Sequence, residues 1–325
     1  MTTLAQTDAE LLRWHEQGFN ERLVRKVMVR GIGGITLRKA SRSGMRMTAD
    51  GVRGHLQAIV QRKPQAMVRI SGGGKGMRHI RAHLDYISRN GQLEVEDQNG
   101  ERFNGRGDVA ELALAWQHGG IPIAEVSARR EAFNIILSMP VGTNAEALRQ
   151  AARAFAQAEF GGHQYAMVLH TQDSDPGREP SPNPHVHLCV KARDDDGVRL
   201  NPRKDDLRRW RARFAQRLRE RGIDAAASSR LERFQSERGQ KQGVRHKLLR
   251  GEPFRARGAD DVRRAERAKQ KETAMLVRFA SAAGVLARSP IATDRRLALE
   301  LVDVCRRARS PALRQNREIG ARRER

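Results

Sequence analysis

The residues with the clearest chemistry are His185 and His187, in the stretch Asn183-Pro184-His185-Val186-His187-Leu188-Cys189-Val190-Lys191. On a β-strand alternate side chains share a face, so both imidazoles point one way and Val186 points the other, into a core. Two imidazoles on one rigid strand, joined by a third ligand, make a site for a divalent metal ion. His170 is the candidate third ligand, because it ends the apolar run Tyr165-Ala166-Met167-Val168-Leu169. The polar, proline-containing segment 171–184 joins the two runs. If they pair as antiparallel neighbours, the end of one meets the start of the other and the three histidines converge. An isolated His-x-His is more often chance on a half-exposed strand, so the reading depends on His170.

These side chains need elements to hold them. A strand over 66–70 leads through the turn Ser71-Gly72-Gly73-Gly74-Lys75-Gly76 into a helix over 77–88. The turn lacks the Gly-Lys-Ser/Thr ending of a nucleotide phosphate loop and reads as a glycine hinge. On the helix Ile80, Leu84 and Ile87 form the core face, while His79, His83 and Tyr86 form a second stripe beside it, with Arg89 a turn further on. A short strand over 92–96 and a helix over 109–118 follow. A buried strand over 131–139 ends at Pro140, and a helix capped by Thr143 or Asn144 runs to 160 and stops at Gly161-Gly162. After the two histidine strands, a helix over 203–221 turns Leu207, Trp210, Phe214 and Leu218 inward and many arginines outward. Strands that follow each other without a helix between them must pair antiparallel. The expected fold is therefore α+β, a central, largely antiparallel sheet flanked by helices, with basic extensions at both ends.

The ends differ from the middle. Of 325 residues, 62 are Lys or Arg and 38 are Asp or Glu, a net charge of +24 that attracts polyanions, above all nucleic acid. With 38% hydrophobic and 4% aromatic residues, one core over the whole length is not expected. Residues 1–65 read as a basic, flexible leader with one short helix over 8–17, and 66–235 as the folded domain. Residues 236–325 read as a basic, partly helical tail, with helices over 259–283 and 293–309. Cys189 and Cys305 lie too far apart for a disulfide framework, which suits a reducing cytoplasm. The N-terminus lacks a secretion-signal pattern, and no apolar run reaches membrane-spanning length.

The tyrosine stretch Leu84-Asp85-Tyr86-Ile87-Ser88-Arg89-Asn90-Gly91-Gln92-Leu93-Glu94 resembles the nucleophile motif of conjugative relaxases of the mobilisation and T-DNA border endonuclease type, single-tyrosine members of the His-hydrophobe-His nucleases. Ser138-Met139-Pro140-Val141-Gly142-Thr143 resembles their next motif, His170 with Pro184-His185-Val186-His187 their metal motif, and Ser229-Arg230-Leu231-Glu232-Arg233 a stretch beyond the last domain helix. Together these cover about 66–235, in the family's order. The loop from Thr171 to Pro184 is longer than usual, and Lys191 stands where the family tends to carry Asn.

The resemblance implies site- and strand-specific nicking and rejoining of DNA at a transfer origin. Tyr86 would be the nucleophile and a 5′-phosphotyrosine the intermediate, starting conjugative transfer of a plasmid or integrative element. A free phenol titrates near 10, so only about one in a thousand is phenolate at neutral pH, and the nucleophile needs help. The implied cofactor is a divalent metal ion on His170, His185 and His187, Mn or Mg foremost and Zn, Co or Ni also compatible. Asp173, preferred to Asp175, would support a histidine or take the tyrosine proton, and His79, His83 and Arg89 would neutralise phosphate. The arginines of 203–221 would meet the DNA backbone. Implied partners are single-stranded or supercoiled DNA, an accessory DNA-binding protein and a type IV secretion coupling protein, in the bacterial cytoplasm with transfer alongside the DNA. Two other readings stand: a nucleic-acid-binding module with a structural metal, and a replication initiator or transposase of the same nuclease group. The last expects the His-x-His strand before the tyrosine, the reverse of the order here.

Overall fold

The structure, a computed structural model, describes residues 2–19, 26–31, 34–39, 47–175, 180–234 and 259–309. They fall into two compact units: 62–227, and the two chain ends together, 1–61 with 228–325.

The unit 62–227 is built on six antiparallel strands. In chain order these are β3 (Met67–Gly72), β4 (Val95–Asp97), β5 (Arg102–Phe103), β6 (Ala132–Ser138), β7 (Tyr165–His170) and β8 (His185–Lys191), arranged β3-β6-β8-β7-β4-β5 across the sheet. Strand β8 is central and every one of its residues is buried. Its alternation divides the core. Val186, Leu188 and Val190 join Ile135, Leu137 and Met167 under helices α5 (Ala145–Phe160) and α6 (Lys204–Arg219). There Phe160 and Trp210 meet edge to face with ring centres 5.2 Å apart, and Phe155 meets Phe214 at 5.8 Å. Cys189, Ala166 and Val168 face the other way, under α3 (Met77–Ile87) and α4 (Arg106–His118). This is the expected α+β layering.

Two details differ from the sequence reading. The strand expected over 92–96 is instead the hairpin β4–β5, whose turn is closed by Asp97, its carboxylate accepting from the N–H groups of Asn99 and Glu101 at 2.8 and 2.9 Å. On α6 several arginines expected to face DNA are paired with carboxylates of the protein itself: Arg209 with Asp206 at 2.9 Å, Arg217 with Glu220 at 2.8 Å, and Arg213 with Glu159.

Where they are described, the chain ends pack together rather than standing apart as leader and tail; residues 20–25, 32–33, 40–46, 235–258 and 310–325 of the expected leader and tail lie outside the described residues. Helices α1 (Leu4–Phe19), α2 (Ala49–Val60), α7 (Ala259–Ala287) and α8 (Ala292–Arg309) share one buried cluster that includes Leu11, Trp14, Leu56, Phe279 and Leu301. A hairpin of β1 (Lys26–Gly31) and β2 (Gly34–Lys39) lies between α1 and α2 in the chain. Thr48 caps α2, its hydroxyl accepting from Gly51 N–H at 3.1 Å. Asp294 is buried with its carboxylate on Arg53 Nε at 2.8 Å and on Ser289 Oγ at 2.7 Å, and Arg53 reaches on to Asp8 at 2.6 Å. Val52, Leu56 and Ile59 supply the apolar face, one helical turn apart, that gives α2 a reason to pack.

Candidate functional site

Pairing of β7 with β8 sets the site. His170 lies opposite His185 and Val168 opposite His187. Because β8 alternates, His185 and His187 share the sheet face that Cys189 occupies, and His170 shares it from the neighbouring strand. The three ring centres are 4.6 to 5.2 Å apart, and one nitrogen from each lies within 4.8 Å of the others. The convergence expected from the sequence is present.

Hydrogen bonds orient two of the rings. His170 Nε2 is 2.6 Å from the carbonyl of Ile87, the last residue of α3, so this nitrogen carries the proton and Nδ1 is left as a bare acceptor. His185 Nδ1 donates to Asn183 O at 3.0 Å, which leaves Nε2 bare. His170 Nδ1 and His187 Nδ1 are buried without a hydrogen-bond partner. Such orphans cost about 1–3 kcal/mol each when nothing occupies the space they face. Burial lowers the affinity of His170 for a proton and takes His187 down to about 3, with the neighbouring histidines adding to the effect. Imidazole nitrogens that converge on one face are the donor set that Mn, Zn, Co or Ni accepts, so the residues fit a divalent metal.

Tyr86 is brought to the triad by α3. This helix starts at Gly76, whose φ of 97° favours glycine and whose neighbours leave no room for a side chain: a Cβ there would stand 2.5 Å from the Glu125 carbonyl oxygen. The N–H groups of Met77 and Arg78 donate to the Ala124 and Glu125 carbonyls in place of a side-chain cap. Met77, Ile80, Leu84 and Ile87 are buried, which leaves Tyr86 49% exposed with its ring centre 6.4 Å from that of His187. His83 completes a triangle with them, stacked on Tyr86 at 6.4 Å and edge-on to His187 at 6.2 Å.

The remaining expected residues divide. His83 and Arg89 are at the site, and the Arg89 guanidinium is close enough to disfavour protonation of His170. Burial lowers His83 to about 4, so it is neutral at pH 7 and offers a hydrogen bond rather than a charge; its Nε2 is buried and unpartnered. His79 is not drawn in: it is exposed, with Nδ1 3.3 Å from Lys75 O at the start of its own helix. The carboxylate beside the triad is Asp175, with Oδ2 4.0 Å from His185 Nε2, held by the N–H of Ser181 at 2.8 Å. Asp173, the residue preferred from sequence, is exposed. Within this loop the sequence carries no signal that ranks the two, because the choice depends on a turn in which Asp175 N–H donates to Thr171 O at 2.9 Å. Asn183, which fixes the His185 tautomer through its carbonyl, also escapes sequence reasoning, since a backbone acceptor leaves no mark in side-chain type.

Residues 91–223 match the family model described as Relaxase: MobA/VirD2-like, nuclease domain. The T-DNA border endonuclease VirD2 of Rhizobium radiobacter is 29% identical over 200 residues, covering 54% of this chain and 44% of that protein. The VirD2 proteins of Rhizobium rhizogenes and Agrobacterium fabrum (strain C58 / ATCC 33970) are each 28% identical, over 192 and 197 residues, with 53% and 54% of this chain and 42% of each relative covered. The match therefore spans less than half the length of these relatives. The matched residues include His170, His185 and His187, so in this part the chain is similar to relaxase nuclease domains of the MobA/VirD2 type.

Proposed function

We propose that this protein nicks and rejoins one DNA strand at a transfer origin through a 5′-phosphotyrosine on Tyr86, and so initiates conjugative DNA transfer. The carrying observation is the half-exposed Tyr86 ring 6.4 Å from His187, beside three histidines whose nitrogens converge within 4.8 Å. In the proposed step Tyr86 Oη forms a bond to phosphorus and the P–O3′ bond breaks in line. The 3′-oxygen takes a proton from solvent and leaves as a hydroxyl, and the tyrosine proton passes to Asp175 or to solvent. The phosphotyrosine conserves the energy of the broken ester, so the same residues rejoin the ends by the reverse path.

His170, His185 and His187 would hold the divalent metal ion, Mn or Mg foremost, which when bound withdraws charge from a non-bridging phosphate oxygen and orients it. Arg89 supplies a second positive charge to the phosphate, and His83 Nε2 a neutral hydrogen bond. Asp175 replaces Asp173 in the supporting role. Single-stranded or supercoiled DNA is the substrate in this reading, and an accessory DNA-binding protein and a secretion coupling protein are its expected partners in the cytoplasm. No described helix is long and apolar enough to cross a membrane. The reading as a nucleic-acid-binding module with a structural metal calls for a closed site of four ligands; the cluster among the described residues has three and lies beside an exposed phenol.

The test is incubation with supercoiled DNA carrying candidate transfer origins in Mn or Mg, followed by protease treatment and electrophoresis. A covalent protein–DNA adduct that disappears in Tyr86→Phe is expected. An adduct of undiminished yield in that variant ends the assignment.

A further inference from the structure

The turn that follows α3 is unusual. Arg89 and Asn90, neither of them glycine, have φ of 51° and 55°, and Gly91 follows at 82°. Two consecutive side-chain-bearing residues in the left-handed region are uncommon, and such backbone persists where the surroundings over-determine it, often at functional sites. Here they do. Gly91 N–H donates to Ser88 Oγ at 3.1 Å, Asn90 N–H to Asp85 O at 2.7 Å, and Gly105 N–H to Gly91 O at 3.0 Å. A side chain at 91 would run into Gly105 and Arg106, so the turn is clamped against the start of α4.

The clamped turn walls an open hollow of about 470 Å³, lined by Ala82, Asp85, Tyr86, Arg89, Asn90 and Gln92. Pockets for small ligands span roughly 300–1,000 Å³, so a flat heteroaromatic group fits. One of the lining residues, Tyr86, is the proposed nucleophile, and its ring centre is 6.4 Å from that of His187. A phosphate between Tyr86 and the triad therefore has this hollow beside it. The lining supplies a carboxylate, a guanidinium, two amides and a phenol ring, a set suited to the edge and face of a base. Amides pair donor and acceptor at a fixed spacing, as base edges do, and unstacked bases of single strands are read in this way.

The geometry points to this hollow as the seat of one nucleobase adjoining the broken phosphodiester, read by Asn90 and Gln92. The inference rests on the nicking reading, and it adds where part of the sequence preference resides. The amides are specificity-determining residues; Tyr86 and the triad do the chemistry.

The probe is a pool of single-stranded oligonucleotides with random bases, incubated with Mn, after which covalently captured strands are sequenced. Wild-type protein is expected to show a base preference at a position adjoining the break. In Asn90→Gly, which suits the left-handed backbone, or in Gln92→Ala, that preference falls at least fivefold while preferences elsewhere persist; Gln92→Glu, which keeps the size, changes the favoured base. Unchanged preferences in all three variants, a uniform loss of capture with the base ratios intact, or no preference beside the break in wild type overturns the inference. Failure of the wild-type protein to capture any strand instead overturns the nicking reading itself.

Discussion

The buried histidines of the two units, His55 in one and His170 and His187 in the other, make opposite use of the same side chain. In the helical unit His55 is 4% exposed and its Nε2 is 3.0 Å from Glu232, whose other oxygen accepts from the N–H of Ser229 at 2.6 Å. In the nuclease unit His170 and His187 are 0% and 7% exposed, yet each keeps a buried nitrogen without a partner. A buried polar group is ordinarily satisfied, and His55 obeys that rule for the sake of the fold. His170 and His187 depart from it on one sheet face beside an exposed phenol, where an incoming ligand would complete them. The site is thus marked by unmet hydrogen bonds as well as by residue type.

The largest expected effect makes the contrast a difference of sign. His55→Leu leaves the Glu232 carboxylate buried with Ser229 as a remaining donor, and breaking a buried pair in this way costs about 3–5 kcal/mol. His187→Leu removes an orphan and substitutes an apolar group of similar size, so metal-free protein is expected to be unchanged or more stable by about 1 kcal/mol. Denaturant unfolding in the presence of a chelator measures both. A His187→Leu protein destabilised as strongly as His55→Leu would mean that the triad is structural and that the contrast is mistaken.

The contrast also shows how far sequence reasoning reaches. The triad is legible because strand periodicity is two and because consecutive strands pair antiparallel, which puts His170, His185 and His187 on one face from the sequence alone. Tyr86 is placed by the same kind of argument on a helix. Packing of residues 1–61 with 228–325 is not legible, since no local pattern links Leu11 to Phe279 or Arg53 to Asp294. Helix α2 does not stand out in the sequence because Gly51 and Gly54 interrupt it, although its Val52-Leu56-Ile59 stripe and Thr48 cap are in view. Net charge points to a polyanion but not to its location. The nuclease unit has 26 Lys and Arg against 21 Asp and Glu, whereas the residues of the other unit have 36 against 17. Most of the long-range field therefore belongs to residues outside the proposed chemistry.

A second, smaller effect tests the satisfied side of the comparison through pH. Burial pushes the Glu232 carboxylate up, but the hydrogen bond and charge of His55 and the bonds from Ser229 outweigh it and hold the group at about 2. A carboxylate whose folded pKa lies below its unfolded value near 4.5 contributes stability that is complete above 4.5 and is lost as pH falls toward 2. His15, lowered to about 4 by burial and then by His55 and Arg278, acts over a higher window: its unfolded form takes up a proton below about 6.5 and its folded form does not, so stability already declines between 6.5 and 4. Wild-type protein should therefore lose stability in two stages on acidification. In Glu232→Gln the loss below pH 4.5 should shrink by on the order of 2–3 kcal/mol, while the decline that His15 shares with His83 and His187, lowered to about 4 and about 3, stays. An unaltered profile below pH 4.5 in that variant would show that the carboxylate does not carry the acid limb.

The smallest effect concerns what completes the unsatisfied side. Asp175 is 4.0 Å from His185 Nε2, and its charge favours the protonated forms of both His170 and His187, so it acts on all three rings without belonging to their cluster. Its Oδ2 is held by Ser181 N–H at 2.8 Å, which fixes its approach. A carboxylate in that relation to a metal site tunes affinity, and removing such a partner weakens metal binding about 10- to 100-fold. Asp175→Asn, which keeps size and the capacity to accept from Ser181, is expected near the lower end of that range in Mn titration by calorimetry, about 1.4 kcal/mol for each factor of ten. His187→Leu in the same titration should abolish binding, and Asp173→Asn, at an exposed position, should leave it unchanged. Abolition by Asp175→Asn would instead make that carboxylate a fourth ligand and close the site, in favour of a structural metal. A loss in Asp173→Asn alone would restore the carboxylate that the sequence favours.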